Sequence, residues 1–255
     1  MGLSDLERQE AIAEILKDKK KVTVTELAER FGFSESSIRR DLSKLEQKGQ
    51  AKKVYGGAIL ASTTQHELDY QERLSRSIRE KSAIAASAVK LIHSGQAILL
   101  DSGTTALQIA MRLPEAMNLT VVTNGLAIFD VLSGRRGISL FMLAGRYRPS
   151  SRDLVGPMLV NAVKQFAVDI AFLSVDGFDA RYGLSTTDHE VAEAAQAAMS
   201  IAAKRVVVSD SSKGGRRAFA HICGIDEVDV IISDKQLDKD VCNGIREAGV
   251  KVVLV

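Results

Sequence analysis

A short polar segment, Asp101-Ser102-Gly103-Thr104-Thr105, follows the apolar run Ala97–Leu100 and directly precedes a helical pattern. Glycine allows the backbone to approach a ligand closely. Hydroxyls and free backbone N–H groups at a helix N-terminus suit a phosphate group, and the helix dipole adds to the attraction. The segment therefore predicts a phosphate site, with Lys213 as the opposite charge. The simpler alternative is that Ser102 merely caps the helix.

Other apolar runs also end in small, polar or glycine residues, and ligands of open α/β sheets bind at the carboxyl ends of the strands. Five such ends, together with the segment Asp101–Thr105, predict a single crevice that these residues line. They are Thr123-Asn124-Gly125, Ala144-Gly145, Asp176-Gly177-Phe178-Asp179, Ser209–Gly215 and Ser233-Asp234. From these ends we predict that Thr123, Asn124, Gly125, Gly145, Asp176 and Gly177 contribute to the site.

The elements that must position these residues alternate regularly over residues 79–255. The buried-strand candidates are Ala97–Leu100, Leu119–Val122, Ser139–Leu143, Ile170–Val175, Arg205–Val208, Val228–Ile232 and Val250–Leu254. Helical patterns lie near 79–93, 105–112, 126–133, 155–166, 189–203 and 236–248. Nearly continuous apolar strands alternating with helices predict a mostly parallel sheet covered on both faces.

The first sixty residues show three short helical patterns instead. Leu6, Ile12, Ile15 and Leu16 recur in the first. The second begins at Thr23, an N-cap with Glu26 three residues on, as in a capping box. The third begins at the N-cap Ser34, with Ile38, Leu42 and Leu45 on its inner face. Because only Gly32-Phe33-Ser34 separates the last two helices, they predict a helix-turn-helix.

The outer face of the third helix suits nucleic acid. Short hydroxyls are followed by cations there: Ser36, Ser37, Arg39, Arg40, Ser43 and Lys44. A β-ribbon, or wing, is predicted after Gly49, where Lys52, Lys53 and Tyr55 would reach DNA phosphates. Residues 36–55 hold six Lys/Arg and two Asp/Glu, although the whole chain has a net charge of only +2. We expect double-stranded operator DNA as the partner, a small protein-binding helical bundle being the alternative.

The first sixty residues resemble the DNA-binding signature of the DeoR family. The matching residues are Ser34-Glu35-Ser36-Ser37-Ile38-Arg39-Arg40-Asp41-Leu42, Leu45-Glu46, Gly49 and Val54-Tyr55-Gly56-Gly57-Ala58. Ser37 stands where that family usually has threonine, and Lys52-Lys53-Val54 replaces its usual hydrophobic-Arg pair. The resemblance implies a winged helix-turn-helix.

The remainder resembles the same family along nearly its whole length. The matches include Ile84-Ala85, Asp101–Thr105, Val122-Thr123-Asn124, Gly156, Asp169, Gly183-Leu184-Ser185-Thr186 and Asp210-Ser211-Ser212-Lys213. This resemblance implies an effector domain similar in fold to ribose-5-phosphate isomerase, with a phosphorylated sugar as the effector. It also implies that the protein regulates sugar-metabolism genes, and members of the family commonly act as repressors. Thr186 and Glu190 are added to the predicted effector residues. Ala144-Gly145 departs from the family's usual Gly-Gly.

A sugar-phosphate isomerase is the rival hypothesis. Asp176-Gly177-Phe178-Asp179 echoes the Asp pair of ribose-5-phosphate isomerases, and Glu190 or Glu193 would be the general base. However, Ala180-Arg181-Tyr182-Gly183-Leu184 stands where those enzymes have a lysine and a glycine run. We therefore expect a sensor without catalytic residues.

We predict three parts: a DNA-binding domain at 1–60, a linker at 61–78 and an α/β effector domain at 79–255. Two cysteines are too few for a disulfide framework or a zinc site, so no metal or cofactor is expected. No apolar run is long enough to span a membrane. We interpret both cysteines as reduced thiols, as expected of a cytoplasmic protein. A homo-oligomer, dimer or tetramer, is expected because helix-turn-helix proteins usually read two half-sites.

Overall fold

A computed structural model of the protein describes residues 5–19, 21–47, 50–54, 56–60 and 70–255. The chain forms two compact units, Met1–His66 and Glu67–Val255. Of the predicted linker, residues 61–69 lie outside the described residues, and most of the rest is helical and belongs to the second unit.

The first unit contains three helices and three short strands. They are α1 (Asp5–Lys19), β1 (Lys21–Thr23), α2 (Val24–Phe31), α3 (Glu35–Gln47), β2 (Ala51–Val54) and β3 (Gly57–Leu60). The strands form an antiparallel sheet in the order β1-β3-β2. This is a winged helix-turn-helix, in which α2 and α3 are the two helices and the β2–β3 hairpin is the wing.

The helix starts follow from side-chain caps. The Thr23 hydroxyl accepts from the Glu26 N–H at 3.2 Å, and Ser34 accepts from the Ser37 N–H at 3.3 Å, so both predicted N-caps are confirmed. The Glu26 carboxylate pairs with Lys19 at 2.5 Å and also accepts a backbone hydrogen bond from Thr23, as in the predicted capping box. Leu6 was wrongly predicted to share the apolar face of α1, since it is 60% exposed.

A buried ion pair fixes α3 against α1. Arg8 Nε donates to Asp41 at 2.6 Å, and the Gln9 amide donates to the same carboxylate at 3.1 Å. The Arg8 guanidinium also lies 4.0 Å from the ring centroid of Phe33, which belongs to the turn between α2 and α3. Asp41 is on the inner side of α3, so the exposed face of this helix is held in a defined orientation.

The wing depends on one glycine. Gly57 pairs with Thr23 of β1 and with Val54 of β2. A Cβ at Gly57 would overlap the carbonyl oxygen of Val22 and lie 2.9 Å from Thr23 Cα. The close approach of β1 to the hairpin therefore requires glycine at this position.

The second unit is built on one large sheet. Its helices are α4 (Tyr70–Ser75), α5 (Ile78–Val89), α6 (Thr104–Arg112), α7 (Leu126–Leu132), α8 (Pro157–Val163), α9 (His189–Ser200) and α10 (Lys239–Glu247). Its strands are β4 (Ala97–Leu100), β5 (Leu119–Thr123), β6 (Ile138–Met142), β7 (Arg146–Arg148), β8 (Asp153–Val155), β9 (Val168–Leu173), β10 (Gly177–Asp179), β11 (Gly183–Thr186), β12 (Ala202–Val208), β13 (Ala220–Cys223), β14 (Val230–Ser233) and β15 (Lys251–Leu254).

Seven strands form a parallel sheet in the order β15-β14-β12-β9-β4-β5-β6. All seven predicted strands are in it, with ends within three residues of the predicted ones. One buried apolar cluster includes Leu99, Val207 and the alanines of α9, and another includes Ile98, Val206 and residues of α5 and α6. Because residues adjacent along a strand belong to different clusters, both faces of the sheet are covered. Among the described residues, no helix is long and apolar enough to cross a bilayer.

Five short strands were missed. β7 and β8 form an antiparallel hairpin, and β10, β11 and β13 form a small antiparallel sheet. Gly177–Asp179 was predicted as a strand end but is itself β10. Strands of three or four residues with charges or glycine lack the apolar pattern used for prediction, and they form here through backbone pairing with their neighbours.

Candidate functional site

A cavity of about 270 Å³ opens in the second unit. It is bounded by the segment before α5, the start of α6, and the loops after β9 and β12. The lining residues are Arg73, Arg76, Ser77, Lys81, Gly103, Thr104, Thr105, Ser174, Val175, Asp176, Val208, Ser209, Asp210, Ser212, Lys213 and Arg216. Gly103, Thr104, Thr105, Asp176 and Lys213 were predicted from the sequence, and the structure brings them together here.

The start of α6 forms an open cradle. Gly103 has φ +146°, and the helix has no side-chain cap. Ser102 therefore does not cap α6, and that alternative is wrong. Among the described residues, the Thr104 and Thr105 hydroxyls have no protein partner, and neither does the buried Ser174 hydroxyl. Free N–H groups and hydroxyls thus face the same space.

Ser102 and Asp101 support this cradle from behind. The Ser102 N–H donates to Asp101 at 2.7 Å and to Asn124 at 3.0 Å, while its hydroxyl donates to Asp153 at 2.9 Å. Asp101 also accepts from the Ser174 N–H at 3.2 Å. The β4 and β9 ends are therefore tied together through one carboxylate. Burial raises the pKa of Asp101 to about 7, and the Asp153 charge adds to this rise.

The carboxylate of Asp153 is itself held in place by arginine. Arg148 donates to both Asp153 oxygens, at 3.0 and 2.8 Å, and it pairs with Asp188 at 3.2 Å. Arg148 and Asp153 belong to the β7–β8 hairpin, which the sequence did not predict. The hairpin thus contributes to the site by fixing Ser102.

Lys213 and Asp176 form an ion pair at the cavity wall. Their side chains are 3.1 Å apart, and Asp176 also accepts from Thr186 at 3.0 Å and from the Thr187 N–H at 3.2 Å. Burial alone would raise the pKa of Asp176, but the Lys213 charge and these hydrogen bonds outweigh burial and lower it. Asp176 is therefore ionised at neutral pH. Thr186, a predicted effector residue, acts here by orienting Asp176.

Lys81 is a buried cation in the same wall. It is 5% exposed, and its ammonium donates to the carbonyls of Arg73 and, at 2.7 Å, Arg76. Burial lowers the pKa of Lys81 to about 8, although the Asp210 charge opposes that effect. Lys81 therefore remains mostly protonated at neutral pH.

The other predicted effector residues lie outside the cavity lining. Thr123 is fully buried and donates to the Leu100 carbonyl at 2.7 Å, and Asn124 donates to the Leu154 carbonyl at 3.1 Å. Glu190 pairs with Arg146. Three glycines allow close packing: Gly125 beside Ser102, Gly145 beside Val155, and Gly177 beside Arg216.

Sequence reasoning missed the cations that precede the first strand of the sheet. Arg73, Arg76 and Lys81 line the cavity, although Arg73 and Arg76 fall in the predicted linker. The available signal was the spacing of Arg73 and Arg76, which are three residues apart, as on one face of a helix, in a segment rich in charged residues. A search of strand ends alone cannot find residues contributed by a preceding helix.

Thr104→Val tests the cradle. Valine keeps the shape of threonine but removes a hydroxyl that has no protein partner among the described residues. We expect phosphate-ligand affinity to fall by about 10-fold or more, as for loss of a hydrogen bond to a charged group. Thr120→Val in β5, outside the cavity lining, is the control. Equal ligand titrations for Thr104→Val and the parent would place the ligand elsewhere.

The predicted DNA-binding surface is exposed on the first unit. Ser36, Arg39, Arg40 and Lys44 are exposed on α3, and Ser37 and Ser43 are half-buried. Arg39 pairs with Glu35 at 2.8 Å, and Arg40 reaches Ser37 at 3.5 Å. Tyr55 and the Lys52 side chain lie outside the described residues.

The wing and α3 form one continuous surface. Lys53 Nζ donates to the Ser43 hydroxyl at 3.0 Å, and the Lys53 N–H donates to Glu46 at 2.8 Å. A wing lysine is thereby placed beside the cations of α3. This arrangement suits simultaneous contact with a groove and its phosphates.

Arg40→Ala tests this surface. The substitution removes an exposed cation whose own protein contacts are long. We expect operator affinity to fall by about 10- to 100-fold, with ligand binding unchanged. Anisotropy titrations across a salt series measure the effect, and Lys239→Ala on α10 controls for loss of one charge. Parental affinity of Arg40→Ala at every salt concentration would refute the assignment of α3.

Comparisons with known proteins agree along most of the chain. Residues 8–64 match the DeoR-like helix-turn-helix domain, and residues 76–235 match the DeoR C terminal sensor domain. The chain is 32% identical over 249 residues to the HTH-type transcriptional repressor GlcR of Bacillus subtilis (strain 168), covering 97% of this chain and 95% of that protein. It is 33% identical over 232 residues to the transcriptional repressor AccR of Agrobacterium fabrum, covering 91% and 90%.

Among solved structures, a ribose 5-phosphate isomerase A from Methanocaldococcus jannaschii shares 22% identity. The similarity covers 52% of each chain with a TM-score of 0.39 and carries no argument about activity. The two family matches instead favour a regulator over the isomerase hypothesis. The chain belongs to the DeoR family of transcription regulators, with an N-terminal DNA-binding helix-turn-helix and a C-terminal sensor domain.

Proposed function

We propose that the protein represses sugar-metabolism genes and that a phosphorylated sugar in the cavity changes its affinity for operator DNA. The observation that carries the proposal is the uncapped start of α6, where Thr104, Thr105 and Ser174 present hydroxyls without protein partners among the described residues. Buried polar groups are normally hydrogen-bonded. A phosphate would satisfy these donors together with the N–H groups of the helix.

The sugar part of the ligand is supported by the acceptors in the same cavity. Asp176 and Asp210 line it beside the hydroxyl residues Ser209 and Ser212. Carboxylates accept hydrogen bonds from sugar hydroxyls, while Lys213 and Lys81 supply positive charge. This mixture suits a ligand with one strongly anionic end and several hydroxyls.

The negative sign of regulation is supported by the names of GlcR and AccR, both described as repressors.

A homo-oligomer is expected because one helix-turn-helix contacts few bases, and symmetric dimers read two half-sites. We place the protein in the cytoplasm, where it would reach its operator DNA. Light scattering at DNA-binding concentrations would give a multimeric mass.

The proposal is tested by two measurements on the full chain. Selection of genomic fragments bound by the protein should recover a defined sequence. Thermal unfolding with matched pairs of sugars and sugar phosphates should show stabilisation by a phosphorylated compound alone, because a ligand stabilises the state that binds it. Equal effects of a sugar and its phosphate, or none from any phosphate, would contradict the proposed effector class.

A further inference from the structure

We propose that the ligand of this cavity carries a second anionic group besides the phosphate bound at α6. The ligand class is then a sugar bisphosphate or a phosphorylated sugar acid. This inference rests on the proposed function and specifies its ligand.

The charges that line the cavity do not balance for a single phosphate. Five cations line it against two carboxylates: Arg73, Arg76, Lys81, Lys213 and Arg216 against Asp176 and Asp210. A phosphate monoester brings about −1.5 to −2 charges at neutral pH. The start of α6 contributes further positive potential. A singly phosphorylated sugar therefore leaves the lining with excess positive charge.

The cations divide by their partners. Lys213 is paired with Asp176 at 3.1 Å. Lys81 donates to two backbone carbonyls, and the Asp210 charge favours the protonated form of Lys81. These two lysines match the two carboxylates of the lining. Of the arginines, Arg73 has polar contacts of its own, including one to the Ser150 carbonyl at 3.5 Å, so Arg76 and Arg216 are the candidates for the excess charge.

Arg76 and Arg216 are the arginines best suited to a second anion. Within the described part of the chain, Arg76 forms one ion pair, with Glu72 at 2.8 Å, and both side chains are about one-third exposed, so this ion pair is weak. Arg216 makes no ion pair with any residue that the structure describes. Guanidinium groups bind phosphate and carboxylate through two parallel hydrogen bonds.

The backbone around Arg216 is fixed even though its side chain is exposed. The Gly215 N–H donates to the Phe178 carbonyl at 2.9 Å, and the Ala218 N–H donates to the Ser185 hydroxyl at 2.9 Å. Arg216 is thus held at the cavity from both sides. Its neighbour Arg217 stacks over Tyr182, 4.8 Å from the ring centroid, and does not line the cavity.

The test is calorimetric titration of the full chain with matched ligand pairs. Fructose 6-phosphate is compared with fructose 1,6-bisphosphate, glucose 6-phosphate with 6-phosphogluconate, and glycerol 3-phosphate with 3-phosphoglycerate. We expect at least one doubly anionic compound to bind about 10-fold or more tightly than its partner. The pair that shows the difference distinguishes a second phosphate from a carboxylate.

Variants locate the second contact. Arg216→Gln and Arg76→Gln should bring the two affinities of the discriminating pair within about 3-fold of each other, mainly by weakening the doubly anionic ligand. Arg217→Gln and Arg79→Gln, which remove neighbouring arginines outside the lining, should keep the preference. Equal loss in Arg216→Gln and Arg217→Gln would overturn the inference. Equal binding of the two ligands within every pair would also overturn the inference, but the proposal that the protein senses a phosphate would stand. If none of the phosphates bound, both proposals would be overturned.

Discussion

Gly103→Ala is expected to abolish the ligand response, weakening phosphate-ligand binding by about 100-fold or more while operator affinity stays unchanged. Gly103 has φ +146°, a backbone conformation open essentially to glycine alone. An added Cβ would overlap the Ser174 hydroxyl and lie 2.8 Å from Ser174 Cβ. The loop would have to move, and the N–H groups and hydroxyls of the cradle would no longer converge.

Ligand titrations of the full chain, followed by DNA titrations without ligand, measure this effect. Gly249→Ala is the matched control, because Gly249 also has positive φ, +87°, but a Cβ there meets nothing within 4 Å and lies outside the cavity. The control should lose some thermal stability and respond normally. Normal ligand binding by Gly103→Ala would mean that α6 does not hold the phosphate.

Asp41→Ala is expected to destabilise the first unit by about 3 kcal/mol, because the buried Arg8 guanidinium then keeps the exposed carboxylate of Asp5, at 2.9 Å, as its remaining ion-pair partner among the described residues. Arg8 and Asp41 are 2.6 Å apart, with side chains 4% and 2% exposed. Gln9 also loses an acceptor. Since this cluster holds α3 against α1, operator binding should fall although Asp41 does not face the DNA-binding surface.

Hydrogen exchange on the full chain measures the loss separately for each unit. Peptides from α1 and α3 should exchange faster in Asp41→Ala, while peptides from the seven-stranded sheet should be unchanged. Glu35→Ala is the control, because it breaks the exposed Arg39 pair on the same helix and such pairs contribute little. If the amides of α1 kept the same protection from hydrogen exchange in Asp41→Ala, the ion pair would not stabilise the first unit.

The fold was largely predictable because the strands of its large sheet are nearly continuous apolar runs between helices. Runs such as Ala97–Leu100 can be buried on both faces only in a covered parallel sheet. The β7–β8 hairpin escaped prediction because Arg146–Arg148 is charged and only three residues long. Its buried arginine makes sense only once Asp153 and Asp188 are seen beside it.

The candidate site was predictable where it follows strand ends. The topology of a parallel sheet gathers those ends, so Gly103, Asp176 and Lys213 could be assigned to one cavity. Arg76 and Lys81 come from the segment before the sheet. The local sequence does not show that the helix formed there packs beside the cavity. Likewise, Thr123 sits at a strand end but points into the interior, which only the side-chain geometry reveals.

The most direct test of the account is operator anisotropy measured with and without a stabilising sugar phosphate, its unphosphorylated sugar and Gly103→Ala. The account predicts a change in operator Kd of about 5- to 150-fold with the phosphorylated compound. The bare sugar should have no effect, and Gly103→Ala should bind operator without responding. An operator Kd that is the same with and without every phosphate that binds the protein would contradict the claim that this cavity controls DNA binding.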